Sequence, residues 1–298
     1  MHGNPPSSWT AHTVVSIPDI SMIPFQGYYI NLDASIDRRV FMQNRLANLG
    51  LTGSIARFSA LQGDDRPSKL GQPTLGCYLS HQAVIEAAPK DRITLVLEDD
   101  VDLPVDFAQR LDSLLVTALQ IPWDILFLSQ TPGHHDVQLI ASWVALKRKL
   151  AAPSSAGYAS VLLEGHEAYQ WGATSYLVRP GGHDKIAAVL REGAEKGYPL
   201  PVDDLYRYAM AQKWFTGKCL FPFMTGLNLD HETTHSDRLN PELHRIGHTL
   251  VNLFAPHIDL EPLANEARQA MSRAINADAT PEALIVSHLV HQMITDMH

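Results

Sequence analysis

The chain has 298 residues, 45% of them apolar and 18% charged, enough to bury the core of one large α/β domain or two small ones. A formal charge of −9 argues against a nucleic-acid binder that works through a basic face. Two cysteines, Cys77 and Cys219, are too few for a disulfide framework and suit a reducing compartment. No run approaches the ~18 apolar residues of a membrane span.

Met1 to Pro24 lacks the basic-then-apolar pattern of a secretory signal and reads as an extended arm, so a cytoplasmic protein is expected. Tyr28 to Leu32 reads as a short strand entered through Gly27. Asp33 or Ser35 is placed to cap a helix that runs to about Asn48 and stops at Gly50, with Met42, Leu46 and Leu49 on one face. A second strand near Ile55 to Ala60 leads into the polar loop Gln62-Gly63-Asp64-Asp65-Arg66-Pro67, and Thr74 to Ala88 reads as a helix. Ile93 to Leu97 is then an unbroken apolar run, the pattern of a strand buried on both faces of a parallel sheet. It ends in Glu98, Asp99 and Asp100, with Asp102 two residues on. Pro104 is expected to open a helix to about Leu119, and Trp123 to Leu128 to form another buried strand. Strand and helix alternate through this half, which is the signature of a parallel sheet with right-handed crossovers.

Beyond Ser129 the pattern weakens. Thr131 to Pro153 is expected to be a loop region over the site. Ala156 to Leu163 and Ala173 to Val178 read as strands, expected to form an antiparallel pair. Gly181 to Arg191 and Asp203 to Gln212 read as helices, and Cys219 to Met224 as a last strand. From Asn240 onward the chain reads as all helix, with Asn240-Pro241-Glu242 and Thr280-Pro281-Glu282 each supplying an N-cap and a proline at the first helical position. Val286, Leu289, Val290, Met293 and Met297 form an apolar stripe at helical spacing, expected to pack on the preceding domain. Dimerisation, or peripheral contact with a membrane, is the alternative use of that stripe, although few basic residues accompany it.

Three adjacent carboxylates repel one another, and a divalent cation compensates them better than one ion pair. Mg²⁺ or Mn²⁺ held by one or two carboxylates usually also binds the phosphates of a substrate. The carboxyl end of a strand is where ligands bind in open α/β sheets. The plainer reading is an acidic, solvated turn after a strand.

Three further segments accompany the acidic one. They are Tyr29-Ile30-Asn31-Leu32-Asp33 with Asp37-Arg38-Arg39, Leu75-Gly76-Cys77-Tyr78-Leu79-Ser80-His81, and Pro201-Val202-Asp203-Asp204-Leu205. With Leu97-Glu98-Asp99-Asp100 they resemble glycosyltransferase family 25, the bacterial lipooligosaccharide galactosyltransferases and related collagen galactosyltransferases, over about Gly27 to Asp237. The resemblance implies a single α/β domain of the Rossmann-like GT-A type with a mostly parallel central sheet, followed here by a helical C-terminal extension. The expected division is an arm over 1–24, a catalytic domain over 25–239 and the extension over 240–298. It also implies a UDP-sugar donor, a Mn²⁺ (or Mg²⁺) ion, inversion at the anomeric carbon and a glycan or lipid-linked oligosaccharide acceptor.

By that likeness Asp100 ligates the metal, and Glu98 or Asp99 holds the ribose or a metal-bound water. Asn31, Leu32 and Arg38 border the nucleotide, and Gly63 lies in a loop near the base. Gly76, Ser80 and His81 match the second motif, a lone helical histidine such as His81 being more often a hydrogen-bonded structural residue than a ligand. Cys77 reads as a small buried hydrophobe. Asp203 is assigned as the general base that takes the acceptor hydroxyl proton, with Asp204 as its understudy; capping of its own helix is the plainer alternative.

His231-Glu232-Thr233-Thr234-His235 fits the zinc-protease pattern, but that motif needs a helix and its surroundings favour loop. The expected use is instead His235, or failing it His231, as a further ligand to the cation or diphosphate. The reading is thus a metal-dependent inverting hexosyltransferase, galactose the first choice of sugar, with a non-catalytic sugar- or nucleotide-binding relative as the rival.

Overall fold

The computed structural model describes residues 25–132, 137–150, 159–228 and 241–271. In chain order the elements are β1 (Phe25–Asn31), α1 (Ile36–Asn48), β2 (Ile55–Ser59), α2 (Gln72–Ala87), β3 (Ile93–Glu98), β4 (Val101–Asp102), α3 (Phe107–Ala118) and β5 (Ile125–Phe127). They continue with α4 (Val137–Leu150), β6 (Val161–Glu164), α5 (Gly165–Ala168), β7 (Ser175–Val178), α6 (Gly182–Glu195), α7 (Val202–Ala211), β8 (Gly217–Phe221), β9 (Gly226–Leu227), α8 (Pro241–Leu253) and α9 (Glu261–Met271).

One sheet of seven strands carries the fold, in the order β2-β1-β3-β7-β5-β8-β6. β1 pairs in parallel with β2 and β3, and β5 with β8, while β7 runs against β3 and β5, and β6 against β8. Five of the seven strands therefore point one way and the sheet is mostly parallel. The apolar run of β3 is buried from Ile93 to Leu97, as a central strand covered on both faces requires. The fold is mixed α/β of the Rossmann-like GT-A type.

The carboxyl ends of β1, β2, β3, β5 and β8 share one edge of this sheet. Because β7 is reversed, its beginning lies at that edge as well, with Ser175 opposite Leu97. The short ribbon of β4 and β9 stands beside it.

Four local expectations need correction. Ser35 stands at the N-cap position of α1 without a side-chain cap bond, and Asp33 instead accepts from Arg57 and Ser59. Pro104 does not open α3; its carbonyl closes a turn to the Phe107 amide, and the helix begins there. The two late strands are not partners either. β7 is buried at all four residues and needs neighbours on both sides, whereas β6 sits at the sheet's edge beside β8.

The fourth correction concerns the segment expected to be loop, which contains α4. Ile140, Trp143, Val144 and Lys147 make one helical stripe and are all buried. Trp143 packs its ring on Phe221, Phe223 and Phe254 at centroid distances of 5.3 to 5.9 Å. Lys147 hides the stripe in the sequence, because a cation in an apolar face reads as surface. Its stem is buried and its ammonium donates to the carbonyls of Leu253 and Ala255 at the end of α8. α8 is thereby fastened to α4 and β8. The stripe from Val286 to Met297 lies outside the described residues. Among the described residues no helix is long and apolar enough to cross a membrane.

Candidate active site

The sheet edge gathers the acidic residues through a small set of donors. Asn31, at the end of β1, is 1% exposed and donates from Nδ2 to Asp99 Oδ2 at 2.7 Å and to the Ser35 carbonyl at 3.0 Å. Arg57 from β2 fixes Asn31 from the other side, donating to its Oδ1 at 2.8 Å and to its carbonyl at 2.9 Å. Arg38 on α1 donates to Asp99 Oδ1 at 2.8 Å and lies 3.5 Å from Asp100 Oδ2. Both oxygens of Asp99 are thus engaged by protein donors, and Asp99 anchors the cluster.

Asp100 is the reverse case. Its Oδ1 is buried with no hydrogen-bond partner among the described residues. Burial and the neighbouring Glu98 push its carboxyl up to about 7, against the opposing pull of Arg38. Glu98 turns towards α2, where its Oε1 lies 3.2 Å from His81 Nε2 and 3.7 Å from Cys77 Sγ. The other nitrogen of His81 meets the Tyr176 hydroxyl at 2.8 Å, and that hydroxyl lies 3.5 Å from the Tyr206 hydroxyl.

α7 brings the remaining carboxylates. Asp203 sits in its first turn, where acidic groups are favoured, and accepts from the Asp204 amide at 2.9 Å and the Gly172 amide at 3.2 Å. Burial first, then Asp204 and Glu98, raise its carboxyl above the ordinary range. Asp204 accepts from the Trp171 indole at 3.1 Å and from Arg207 at 2.9 Å, and the guanidinium of Arg207 lies 5.0 Å from the Trp171 ring centre. Burial first, then Glu98, Asp203 and Asp100, push the Cys77 thiol well above its usual range, and Glu98 Oε1 lies 3.7 Å from that thiol.

A family model matches residues 25–206, that of glycosyltransferase family 25 (LPS biosynthesis protein). The chain belongs to glycosyltransferase family 25. No curated protein matches it.

Family 25 membership makes glycosyl transfer the chemistry to test against this edge, with a sugar nucleotide as donor class. The residues fit a divalent cation. Asp100 offers a buried carboxylate oxygen without a partner among the described residues, and Cys77, His81 and Glu98 bring possible ligand atoms within 4.8 Å of one another.

Other expected site residues hold the frame. The Ser80 hydroxyl donates to the Gly76 carbonyl at 2.7 Å and accepts from the Leu61 amide at 2.8 Å, tying α2 to the loop after β2. Gly63 belongs to that loop and touches α2 so closely that a Cβ there would stand 2.0 Å from the Gln72 carbonyl oxygen. Leu32 follows β1 and accepts the Ser35 amide through its carbonyl at 3.0 Å. His231 and His235 lie outside the described residues, but the chain approaches them from Asn228, whose amide donates to the Asp100 carbonyl at 2.8 Å.

Sequence reasoning missed Arg57, Tyr169, Trp171 and Gln130. Arg57 carried a signal, a lone cation inside a strand that ends at the motif edge. Tyr169 is buried beside Asp203 with its hydroxyl unpartnered among the described residues, as is the Gln130 amide nitrogen. Their segments carry no period, so only the folded chain brings them to this edge.

Proposed function

We propose that this family 25 chain is a metal-dependent, inverting glycosyltransferase that moves a hexose, galactose by first choice, from a UDP-sugar to a glycan or lipid-linked oligosaccharide. The observation that carries the reading is the buried Asp100 oxygen, without a partner among the described residues, beside Glu98 and Arg38 at the carboxyl edge of a mostly parallel sheet. Asp100 is the metal ligand in this proposal. His235 is the further ligand, motivated by the bond between Asn228 and Asp100 at the head of its segment. Mn²⁺ or Mg²⁺ held by Asp100 and His235 would supply positive charge to offset that of the departing diphosphate.

The chain's own residues do the rest. Asn31, Leu32, Arg38 and the loop of Gly63 border the nucleoside, and Glu98 takes the ribose or a metal-bound water. Asp99 keeps Arg38 and Asn31 in place, and Ser80 and His81 hold α2 against the cluster. Asp203 accepts the acceptor's hydroxyl proton while that oxygen bonds to the anomeric carbon and the bond from this carbon to the UDP oxygen breaks. A raised carboxyl suits this task, since a carboxylate whose acid form is weaker is the stronger base towards the acceptor hydroxyl. Asp204 steadies Trp171 and Arg207 beside it. The acceptor is engaged by a protein without a described membrane span; contact with the inner face of a membrane is the mode we propose for a lipid-linked one.

The test is UDP release from a set of UDP-hexoses with and without Mn²⁺. Mn²⁺-dependent release that disappears in Asp100→Asn supports the proposal. Binding without release identifies the non-catalytic relative, and release indifferent to divalent ions rejects the metal.

A further inference from the structure

We propose that Cys77, His81 and Glu98 form a second cation site, selective for zinc, next to the Asp100 carboxylate. Two of its ligands lie on one face of α2, four residues apart, and the third is the last residue of β3. The site therefore rests on regular elements and not on loops. Cys77 Sγ and His81 Nε2 lie 3.7 and 3.2 Å from Glu98 Oε1, and all three ligand atoms fall within 4.8 Å. Tetrahedral bonds of about 2.0–2.3 Å to zinc separate ligand atoms by roughly 3.3–3.8 Å, so small side-chain shifts suffice to close the set.

The imidazole is already aimed. Its Nδ1 meets the Tyr176 hydroxyl at 2.8 Å, and Tyr176 leans on Tyr206, which is the outer support a ligating histidine ordinarily has. His81 is 1% exposed, whereas Cys77 and Glu98 are half-buried, so the set is held from the core side and an ion can enter from the other. The charges close as well. Zn²⁺ displaces the thiol proton to solvent, and one thiolate, one carboxylate and a neutral imidazole balance two positive charges. A fourth position stays open for water.

Ligand softness separates this site from its neighbour. Sulfur and imidazole favour zinc over Mn²⁺ and Mg²⁺, which prefer the oxygens of a site such as Asp100. Glu98 belongs to both groups, so zinc bound at Cys77 withdraws it from the nucleotide. This consequence, inhibition by zinc, rests on the proposed transferase reaction; the site itself does not.

The experiment adds Co²⁺, as a zinc surrogate, to the reduced full-length protein and reads the sulfur-to-cobalt charge-transfer absorption in the near ultraviolet. The expected result is a band that saturates at one equivalent, is displaced by Zn²⁺, persists in Cys219→Ser and is absent in Cys77→Ser. Absence of the band in the folded wild-type protein overturns the site, whatever the variants do. So does a band that survives in Cys77→Ser.

Zinc affinity should fall in Cys77→Ser by more than the about 10–100-fold that outer-shell changes cost. Zinc should then depress Mn²⁺-supported UDP release in the wild type far more than in Cys77→Ser, each measured against its own uninhibited rate. A cobalt band in a protein that never releases UDP upholds the zinc site and rejects the transferase reading. UDP release without the band does the opposite.

Discussion

The side-chain amide of Asn31 donates to Asp99 at 2.7 Å and joins the ends of two neighbouring parallel strands, β1 and β3. Arg57 and the Ser35 carbonyl complete the hydrogen bonds of Asn31, so neither its position nor its rotation is free. Asn31→Asp removes the donor and sets a carboxylate against Asp99. The expected cost is about 1–3 kcal/mol of stability, read as a lowered unfolding midpoint. The KM for the UDP-sugar should rise as the edge loosens.

Asp100→Asn separates catalysis from stability. Mn²⁺-dependent turnover should fall by about 10²–10³-fold, the loss typical of removing one charge-stabilising contact. Stability of the metal-free protein should be equal or greater, because a buried charge beside Glu98 is gone. The sign in pH follows from the raised carboxyl, which moves from 3.8 in the unfolded chain to about 7 in the fold. Between these values the folded state holds the extra proton, so wild-type stability declines as pH rises through the window and levels off above it. Metal-free urea titrations of wild type and Asp100→Asn across that range should show the steeper decline in the wild type, with the raised Asp203 carboxyl leaving a smaller one in the variant.

Asp203→Asn keeps the size of the side chain and one of its two accepted backbone hydrogen bonds but cannot take a proton. We expect kcat to drop by about 10²–10⁴-fold with little change in donor affinity. The acidic limb of the pH profile should stand above the ordinary carboxylate range in the wild type and vanish in the variant. A capping role alone predicts lower stability and an unchanged limb.

Lys147 offers a stability test far from the chemistry. Burial lowers its ammonium from 10.5 to about 8, with Asp259 opposing. The unfolded chain keeps this proton to higher pH than the fold does, so the penalty is complete at neutral pH and is relieved as pH rises through that window. The stability of wild type relative to Lys147→Met should therefore increase from about pH 8 towards pH 10, measured by denaturant unfolding.

Gly63→Ala tests the frame. A methyl placed 2.0 Å from the Gln72 carbonyl oxygen forces the loop off α2, at an expected cost of about 1–3 kcal/mol. Unfolding midpoints measure the cost. Donor KM reads whether the loop's position matters to the nucleotide.

Residues with a strong local reason to be where they are could be read before the fold was known. β3 followed from four apolar residues among the five from Ile93 to Leu97, and the acidic edge from the carboxylates that end them. α1 followed from its apolar face and the glycine after it, and α7 from the proline before it. What escaped was whatever depends on a distant partner. Lys147 makes sense only beside the carbonyls of α8, and β7 finds its place only between β3 and β5. The site divided the same way. Asp100 and Asp203 stood in motifs, whereas the grip of Arg57 on Asn31 and of Trp171 on Asp204 exists only across the folded chain. Cys77 showed apolar character in the sequence, and Glu98 beside it became visible only once α2 met β3.

The insertion of β7 between β3 and β5 has a consequence for biosynthesis. A ribosome delivers β1, β2 and β3 well before it delivers Ser175 to Val178, so the inner flank of β3 has no mate while the intervening chain is made. Nascent protein at that stage displays open backbone groups next to Leu95 and Leu97, a template for illegitimate strand pairing. Chaperone demand and loss to inclusion bodies should therefore concentrate in this interval of translation, and products terminated before Ser175 should be the stickiest.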